Sequence, residues 1–474
     1  MEEDMADTIT PEGAGEHPTE SVLSVTVGER VPKARQIVII AFITAAFALV
    51  WFASVSILNT IFWKNDFVTA NRWMIPVLVL VFSFLVGLCG KYLRAPNVIH
   101  GSLKDELQGG GGVIDYSTFP GALLTSFFSL LSGASVGPEG PLTVLVVDLT
   151  AWLGTKLKLA EQTMFGFIFA GIASAFNGLV GNPLFAALLA TELEKDGQKG
   201  AIQFLSWNLV AGAIGYIFFA LIGFPSFAAS IAFTPITTLT FGYGLYAVAL
   251  GVVGVLLALF VGISFQSIGT VMDRIFRDRF IERIMVAGII VAIVAYFIPE
   301  LMFSGEAQIH QIIDNPAAYG VLVLFAYAIL KVLLLALSFK SGYLGGPIFP
   351  TMFAATMIAL ALSLLFPSVP TALFFTCIVA ATVALVLDAP LAAILLATTV
   401  ATSSMYEVGY IALATATALL IGGAIKRRMA QRTARRTEAV ESGSPAEVGS
   451  TESPHSQEGL SHMSEYSDRQ GLER

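Results

Sequence analysis

Hydrophobic positions dominate residues 36–425, where apolar segments follow one another with only short polar breaks. A simple membrane-spanning helix needs about 20 apolar residues, but several segments are shorter or are interrupted by glycine and proline. Non-helical backbone at membrane depth is tolerated only where protein buries it or where it lines a water-filled cavity. The pattern predicts an all-α polytopic membrane protein with a site at mid-membrane, as in transporters and channels. The predicted segments are 36–62, 74–90, 119–135, 142–155, 163–190, 201–223, 238–268, 284–299, 319–338, 348–366, 370–387, 389–402 and 408–425.

Polar tails flank the apolar region. Residues 1–35 are acidic, and residues 426–474 are rich in Ser, Glu and Arg. Segments of this composition cannot bury enough apolar surface to fold, so both tails are predicted to be disordered. The N-terminal tail also lacks the basic stretch, short apolar core and small-residue cleavage site of a signal peptide.

Lysine and arginine predict the orientation, because they are enriched in cytoplasmic loops. Basic residues precede the first segment, fill the loop at 273–283 and follow the last segment. The loop at 63–73 has only two basic residues and is framed by Trp63 and Trp73, which are typical anchors at a membrane interface. We expect a multi-pass protein of the cell (plasma) membrane with both termini in the cytoplasm and the 63–73 loop outside.

The low content of charged residues excludes several classes of protein. The chain has 474 residues, of which 55% are hydrophobic and 13% charged, whereas a soluble protein has roughly 25% charged residues. This argues against a soluble enzyme, a nucleic-acid binder and a secreted disulfide scaffold. The two cysteines and five histidines form no metal-spaced cluster, so neither a metal nor a cofactor is expected.

Two related stretches indicate an internal repeat. Asn182-Pro-Leu-Phe-Ala-Ala-Leu-Leu-Ala-Thr191 resembles Ala389-Pro-Leu-Ala-Ala-Ile-Leu-Leu-Ala-Thr398, and each follows a knot rich in glycine and proline. We call Gly137-Pro-Glu-Gly-Pro141 the first knot and Gly345-Gly-Pro-Ile-Phe-Pro350 the second knot. With the charge pattern, the halves 36–223 and 238–425 are expected to have opposite orientations in the membrane, as in transporters with inverted repeats.

The first knot combines a helix start with an acidic residue. Glycine and proline end the preceding helix and leave backbone N–H groups free at the start of the next one, and such a helix N-terminus attracts anions. Glu139 at this position can compete with an anion for the site when it is charged. An intramembrane carboxylate is a functional candidate, and the alternative is an ordinary acidic residue at an interfacial helix start.

The second knot offers the same chemistry. Gly345 and Gly346 permit close backbone approach, and Ile348 and Phe349 have N–H groups near a helix start. Pro347 has no N–H and removes one donor. A helix-breaking turn in a membrane loop is the alternative interpretation.

The two knots and the stretches between and after them resemble the CLC family of chloride channels and chloride/proton exchangers. The family has a G(R/K)EGP knot and a GGxFxP knot, which match the first and second knots of this chain. Ser174-Ala-Phe-Asn177 with Asn182-Pro-Leu resembles the family's AAFN-x-PL stretch, and Ser304-Gly-Glu306 resembles its SGG loop. Two further stretches match the family in the same order along the chain, Phe339-Lys-Ser-Gly342 and Asp388-Ala-Pro-Leu391. The resemblance covers about residues 90–425. The two knots are most similar to those of a divergent bacterial branch of ion-transport proteins.

The resemblance implies a CLC-type inverted repeat with many tilted, broken helices and a homodimer in the lipid bilayer, with one anion pathway per subunit. It implies that Glu139 is the gating glutamate. It also implies an anion site that carries chloride or another small anion. The residues expected at that site are Ser102, Gly137, Gly140, Gly346, Ile348 and Phe349. The Gly101-Ser-Leu103 pattern is a degraded form of the family's serine loop, so a surface serine remains the alternative for Ser102.

The proton path is the feature in which the chain departs from the family's exchangers. Glu192 aligns with the first of two acids that end the family's AAFN helix, Leu193 stands at the second position, and Glu194 follows. The proton role is either taken by Glu192 or Glu194 or absent, and no residue matches the family's pore tyrosine. Lys331 matches a position that is often Arg in the family. It either adds positive potential near the anion path, or extends its charged end toward the membrane interface, or forms a structural pair with Asp or Glu.

The sequence therefore predicts an anion transport protein that is not an enzyme. It favours a channel or uncoupled conduit, with a proton-coupled chloride/H⁺ antiporter as the alternative. A membrane-embedded enzyme would need convergent His, Asp or Ser residues, and the sequence has no paired histidines and no nucleophile elbow. A transporter of a different solute is the third candidate.

Overall fold

The structure is a computed structural model that describes residues 33–93, 116–159, 161–193, 201–224, 231, 233–277 and 279–441. Ser102 and Glu194, two of the predicted site residues, lie outside the described residues. The described residues form α-helices joined by short turns. In chain order the helices are α1 (Ala34–Trp63), α2 (Asp66–Ala70), α3 (Met74–Tyr92), α4 (Phe119–Leu131), α5 (Glu139–Lys156), α6 (Glu161–Val180), α7 (Phe185–Leu193), α8 (Ala201–Ile222), α9 (Phe241–Phe276), α10 (Phe280–Phe297), α11 (Glu306–Asp314), α12 (Gly320–Ser341), α13 (Ile348–Leu365), α14 (Thr371–Leu387), α15 (Pro390–Val400) and α16 (Met405–Glu441).

The order of the helices in the first half of the chain is repeated in the second half. The first residues of α1 and α9, Ala34 and Phe241, are 207 positions apart, and those of α5 and α13, Glu139 and Ile348, are 209 positions apart. The same spacing, within a few residues, relates α3 to α10, α6 to α14, α7 to α15 and α8 to α16. The predicted division of the chain into two similar halves is thus present in the helix order.

Eight of the described helices are long and apolar enough to cross a membrane: α1, α3, α8, α9, α10, α12, α13 and α16. Their outward positions carry large apolar side chains, among them Leu221, Phe241 and Leu322, which are more than four-fifths exposed. In water this surface would be unfavourable, but lipid tails solvate it. The protein is a multi-pass membrane protein, as the sequence predicts.

The innermost helices are apolar on all sides. In α14 every residue from Ala372 to Ala384 is buried, and α13 is buried over most of its length. A helix that is hydrophobic all round belongs in the interior of a larger assembly of helices. These two helices pack against each other and give α13, whose first turn belongs to the second knot, a rigid support.

The predicted segment 163–190 is two helices. α6 ends at Val180, Gly181 adopts a left-handed φ of 76°, and α7 begins at Phe185. The Asn182 Oδ1 atom accepts hydrogen bonds from the backbone N–H groups of Leu184 and Phe185. Side-chain capping of this kind satisfies donors that a helix start leaves free, so the Gly-Asn-Pro sequence ends one helix and starts the next.

The last helix extends beyond the predicted boundary at residue 425. α16 continues to Glu441, into the segment that the sequence analysis assigns to the C-terminal tail. Ala, Arg, Lys, Met and Glu dominate this stretch, and all are strong helix formers. By their internal contacts, the described residues up to Leu419 and those from Leu420 to Glu441 form two units.

Candidate anion site

The two knots meet through their backbones. The N–H of Gly137 donates to the carbonyl of Gly346 at 2.8 Å, and the N–H of Gly346 donates to the carbonyl of Gly137 at 2.8 Å. α5 begins two residues after Gly137, and α13 begins two residues after Gly346. The N-termini of one helix from each half therefore lie at one point in the protein interior.

The close approach of the two knots depends on glycine. A Cβ atom on Gly140 would overlap the backbone of Gly345 and Gly346, and one on Gly345 would overlap Val136. A Cβ on Gly346 would overlap the side chain of Glu139. Only glycine lets two backbones come this close, so close packing explains why both knots contain glycine.

Glu139 is the first residue of α5, and its side chain reaches the first turn of α13. Its Oε1 atom accepts hydrogen bonds from the N–H of Ile348 at 2.6 Å and from the N–H of Phe349 at 3.3 Å. Pro347 has no N–H, so these are the first two donors of the helix. The carboxylate oxygen stands where an anion would be held by helix-terminal donors.

Glu139 is buried, and its carboxylate is hydrogen-bonded through one oxygen among the described residues. The residue is 3% exposed, and its Oε2 atom has no hydrogen-bond partner among the described residues. A buried charge is costly unless it is hydrogen-bonded on most of its lone pairs. The arrangement can therefore hold the charged carboxylate through Oε1 and leaves Oε2 available to take up a proton.

The predicted anion-binding glycines have another role in the structure. The amides of Gly137 and Gly346 donate to each other's carbonyls, so they are not available to an anion. The contribution of both glycines, and of Gly140, is the close packing of the knots. Among the predicted donors, the backbone N–H groups of Ile348 and Phe349 point to the Glu139 carboxylate.

Glu192 caps a helix of the other half. Its Oε1 accepts a hydrogen bond from the N–H of Leu391 at 2.7 Å, and its Oε2 accepts one from the N–H of Ala392 at 2.9 Å. Both donors lie in the first turn of α15. Because both carboxylate oxygens are used in this way, the structure places Glu192 as an N-terminal cap between α7 and α15.

A second hydrogen bond joins the opposite ends of α7 and α15. Thr399, near the end of α15, accepts a hydrogen bond from the side chain of Asn182, which lies at the start of α7. Glu192 and Thr399 are 207 positions apart, the spacing of the two repeats. The end of each helix touches the start of its counterpart, so α7 and α15 run antiparallel, as an inverted repeat requires.

Replacing Glu192 with alanine is expected to destabilise the protein by about 0.5–2 kcal/mol, the usual cost of losing a helix cap. Glutamine at the same position can accept one of the two hydrogen bonds and is expected to lose less. Thermal unfolding of the two detergent-solubilised variants measures the difference. Equal stability of the alanine variant and the parent protein would show that the cap contributes nothing.

A buried lysine lies against the loop at residues 301–303. Lys331 in α12 is fully buried, and its Nζ donates to the carbonyls of Leu301 at 3.0 Å, Met302 at 3.3 Å and Phe303 at 2.6 Å. It also lies 4.9 Å from the ring centre of Phe353 in α13. The lysine is thus a structural partner of a loop and does not snorkel.

Substitution of Lys331 by methionine, which keeps the apolar stem, is expected to cost roughly 1–3 kcal/mol for each carbonyl left without a partner. Unfolding of the purified variant by heat is the measurement. Lys64→Met, at an exposed position, is the matched control and should leave stability within about 0.5 kcal/mol of the parent. If the two variants were equally stable, the three hydrogen bonds would carry no net stabilisation.

Glu306, the first residue of α11, follows the loop that Lys331 holds. It accepts a hydrogen bond from the hydroxyl of Ser304. In the sequence it stands out only as the last residue of the Ser304-Gly-Glu306 stretch. Its role depends on the packing of the loop against α12 and α13, which the local sequence does not reveal.

A cavity of about 800 Å³ lies beside the first knot. Val136 and Pro138 line one part of its wall, and Ser304 and Glu306 line another. Lys64 and Arg72, at the two ends of the loop predicted to be outside, also line it. The cavity therefore extends from the first knot to the face that carries the 63–73 loop.

Comparison with known proteins extends these observations. A family model described as "Voltage gated chloride channel" matches residues 82–423. The "Putative ion-transport protein YfeO" of Escherichia fergusonii is 25% identical over 339 residues, which are 68% of this chain and 77% of that protein. The protein of the same name from Escherichia coli O1:K1 / APEC is 26% identical over 278 residues, which are 56% of this chain and 63% of that protein.

Solved structures with the same fold include two antiporters. A slow cyanobacterial Cl⁻/H⁺ antiporter superposes with a TM-score of 0.71 at 20% identity, over 84% of this chain and 97% of that one. A CLC-type fluoride/proton antiporter superposes with a TM-score of 0.67 at 19% identity, over 82% and 94%. At these identities the likeness shows the fold, which is the CLC-type repeat that the sequence predicts.

Proposed function

The chain belongs to the voltage gated chloride channel family, and from that membership we propose that it moves a small anion across the membrane through a path gated by Glu139. Chloride is the default anion. The observation that supports the gate is the pair of hydrogen bonds from Ile348 and Phe349 to the Glu139 carboxylate. The carboxylate occupies the donors that would otherwise hold the transported anion.

The gating follows from the chemistry of the carboxyl group. Charged, Glu139 is itself the anion at the N-terminus of α13 and blocks the path. Protonated, it loses the charge that the helix-terminal donors favour, and an anion can replace it. A site built from backbone N–H groups, with no full positive charge among its donors, binds an anion weakly enough to release it, as conduction requires.

We propose an uncoupled conduit as the first candidate for the mode of transport. Proton coupling needs a second group that passes protons to the other side. Leu193 occupies the position where the family's exchangers have the inner acid. Glu192 supports no proton role because both of its oxygens cap α15.

The second candidate is a proton-coupled antiporter, which the two solved antiporters of the same fold favour. In that case Glu194, which lies outside the described residues, is the inner proton acceptor. We also propose, for both candidates, a homodimer in the plasma membrane, with halves 36–223 and 238–425 and both termini in the cytoplasm.

Anion efflux from liposomes that contain the purified protein tests this proposal, with external proton uptake recorded at the same time. Chloride efflux without proton uptake is the expected result. Chloride efflux with stoichiometric proton uptake would replace the conduit by the antiporter. Absence of efflux with chloride, fluoride and nitrate, relative to protein-free liposomes, would overturn anion transport itself.

A further inference from the structure

We propose that the side-chain hydroxyl of Thr351 is a third donor of the anion site, used by the transported anion and not by the Glu139 carboxylate. This inference rests on the proposed function, because it requires that a small anion replaces Glu139 at the N–H groups of Ile348 and Phe349. It begins from the first turns of α13, where one buried hydroxyl has no partner among the described residues.

Thr351 differs from other buried threonines of this protein. It is 0% exposed, and its Oγ1 atom makes no hydrogen bond within the described part of the chain. The hydroxyls of Thr356 in α13 and Thr376 in α14 each donate to the carbonyl four residues earlier, at 2.7 Å. The corresponding carbonyl for Thr351 is that of Pro347, which accepts the N–H of Thr351 at 3.1 Å but not its hydroxyl.

An unpaired buried hydroxyl is unfavourable for folding, because it loses its hydrogen bonds to water and gains none in return. Such groups are rare in folded proteins, and each calls for an explanation such as a bound ion or water. At Thr351 the nearby helix start already holds a carboxylate oxygen, so an anion is the ligand that explains the hydroxyl.

Helix geometry places this hydroxyl beside the two backbone donors. Thr351 follows Ile348 by three residues, and side chains at this spacing lie on one helix face with about 5–6 Å between their Cβ atoms. The Cα–Cβ bonds of an α-helix tilt toward its N-terminus. The Thr351 side chain therefore leans toward the turn in which the N–H groups of Ile348 and Phe349 hold the Glu139 carboxylate, at 2.6 and 3.3 Å.

The Glu139 carboxylate leaves the hydroxyl unused because the knots fix its position. A Cβ atom on Gly137 or on Gly346 would overlap the carboxylate, so the group is enclosed by both glycines. Its side chain is also tethered to the first residue of α5. A free anion has no tether and can settle where it meets all three donors.

The hydroxyl consequently favours the anion over the blocking carboxylate. An anion that replaces Glu139 gains a hydrogen bond that the carboxylate does not make. A ligand shifts an equilibrium between two states only by its different interaction with them, and Thr351 supplies such a difference. The donor is neutral, which agrees with a site that binds a small anion and still releases it.

The test is chloride flux as a function of chloride concentration in proteoliposomes that contain Thr351→Val. Valine has nearly the shape of threonine and lacks the hydroxyl. We expect the half-saturating chloride concentration to rise about tenfold, the usual effect of losing a hydrogen bond to a charged group. Thr351→Ser keeps the hydroxyl and should stay within about twofold of the parent. Thr356→Val removes a hydroxyl that is already paired in the same helix and should leave the concentration unchanged.

Thermal unfolding in chloride-free buffer separates a ligand from a structural hydroxyl. Thr351→Val removes an unpaired buried group, so its unfolding temperature should equal or exceed that of the parent. Thr351→Ala also lacks the hydroxyl and replaces the valine variant if that variant does not fold. Failure of both variants to fold, or an equal rise of the half-saturating concentration in Thr356→Val, would overturn the role of Thr351.

The Glu139→Gln background separates this inference from the proposed function. Because the hydroxyl is expected to contact the anion itself, Thr351→Val should raise the half-saturating chloride concentration in this background as well. An effect confined to the protein with Glu139 would contradict direct contact. Parent protein that moves neither chloride, fluoride nor nitrate would contradict anion transport. Normal chloride flux in the parent, with an unchanged half-saturating concentration in Thr351→Val, would contradict only the third donor.

Discussion

Replacement of Glu139 by glutamine is expected to give a protein whose anion flux is raised at neutral pH and no longer depends on external pH. Glutamine is close in shape to the protonated acid and carries no charge, so the donors of Ile348 and Phe349 lose a charged partner. A hydrogen bond to a charged group contributes about 1.5–3 kcal/mol. Losing that advantage corresponds to roughly a 10- to 100-fold higher flux, measured as chloride efflux from proteoliposomes.

A surface acid provides the matched control for this experiment. Glu282 lies in α10, pairs with Arg279 at 3.2 Å and has a side chain that is 56% exposed. Glu282→Gln changes the same functional group far from the knots in sequence and should leave both flux and its pH dependence unchanged. If Glu139→Gln kept the block and the pH dependence of the parent protein, Glu139 would not be the gate.

Replacement of Gly140 by alanine is expected to disrupt the meeting of the knots. The added methyl would overlap the carbonyl carbon and oxygen of Gly345 and the nitrogen of Gly346, which are backbone atoms that cannot rotate away. Overpacking of this kind costs typically 1–3 kcal/mol. Because the knots also position Glu139 and the first turn of α13, flux should fall at least about tenfold, together with a lower unfolding temperature.

Gly262→Ala is the control for the glycine substitution. Gly262 lies in α9, and a Cβ atom there would have no neighbour within 4 Å. Alanine is the better helix former by about 0.8–1.0 kcal/mol, so this variant should be as stable as the parent or more stable, with normal flux. Equal behaviour of Gly140→Ala and Gly262→Ala would mean that the knots do not depend on close backbone approach.

The sequence predicts the helix order and the position of the site to a large extent. Glycine and proline end apolar runs at the knots, and α5 and α13 begin within them, at Glu139 and Ile348. The repeated Asn-Pro-Leu and Ala-Pro-Leu stretches predict the spacing of about 207 residues that the helices show. Patterns of this kind are local, so they can be read without knowing which helices pack together.

The contacts between the halves could not be predicted in the same way. The mutual hydrogen bonds of Gly137 and Gly346 depend on how two distant turns face each other, and so does the cap that Glu192 forms on α15. The hydrogen bonds that Lys331 donates to the carbonyls of residues 301–303 also depend on tertiary packing. A local pattern shows that a residue is polar in an apolar stretch, but its partner is set by tertiary structure.

We propose that the Glu139 carboxylate and the transported anion use the same two backbone donors. The most direct test is a crystal structure of the Glu139→Ala variant in bromide, in which anomalous scattering locates the ion. The expected result is a bromide within hydrogen-bond reach of the N–H groups of Ile348 and Phe349, where the carboxylate oxygen lies in the parent protein. A variant that is folded but has no bromide at these two donors would contradict the shared site.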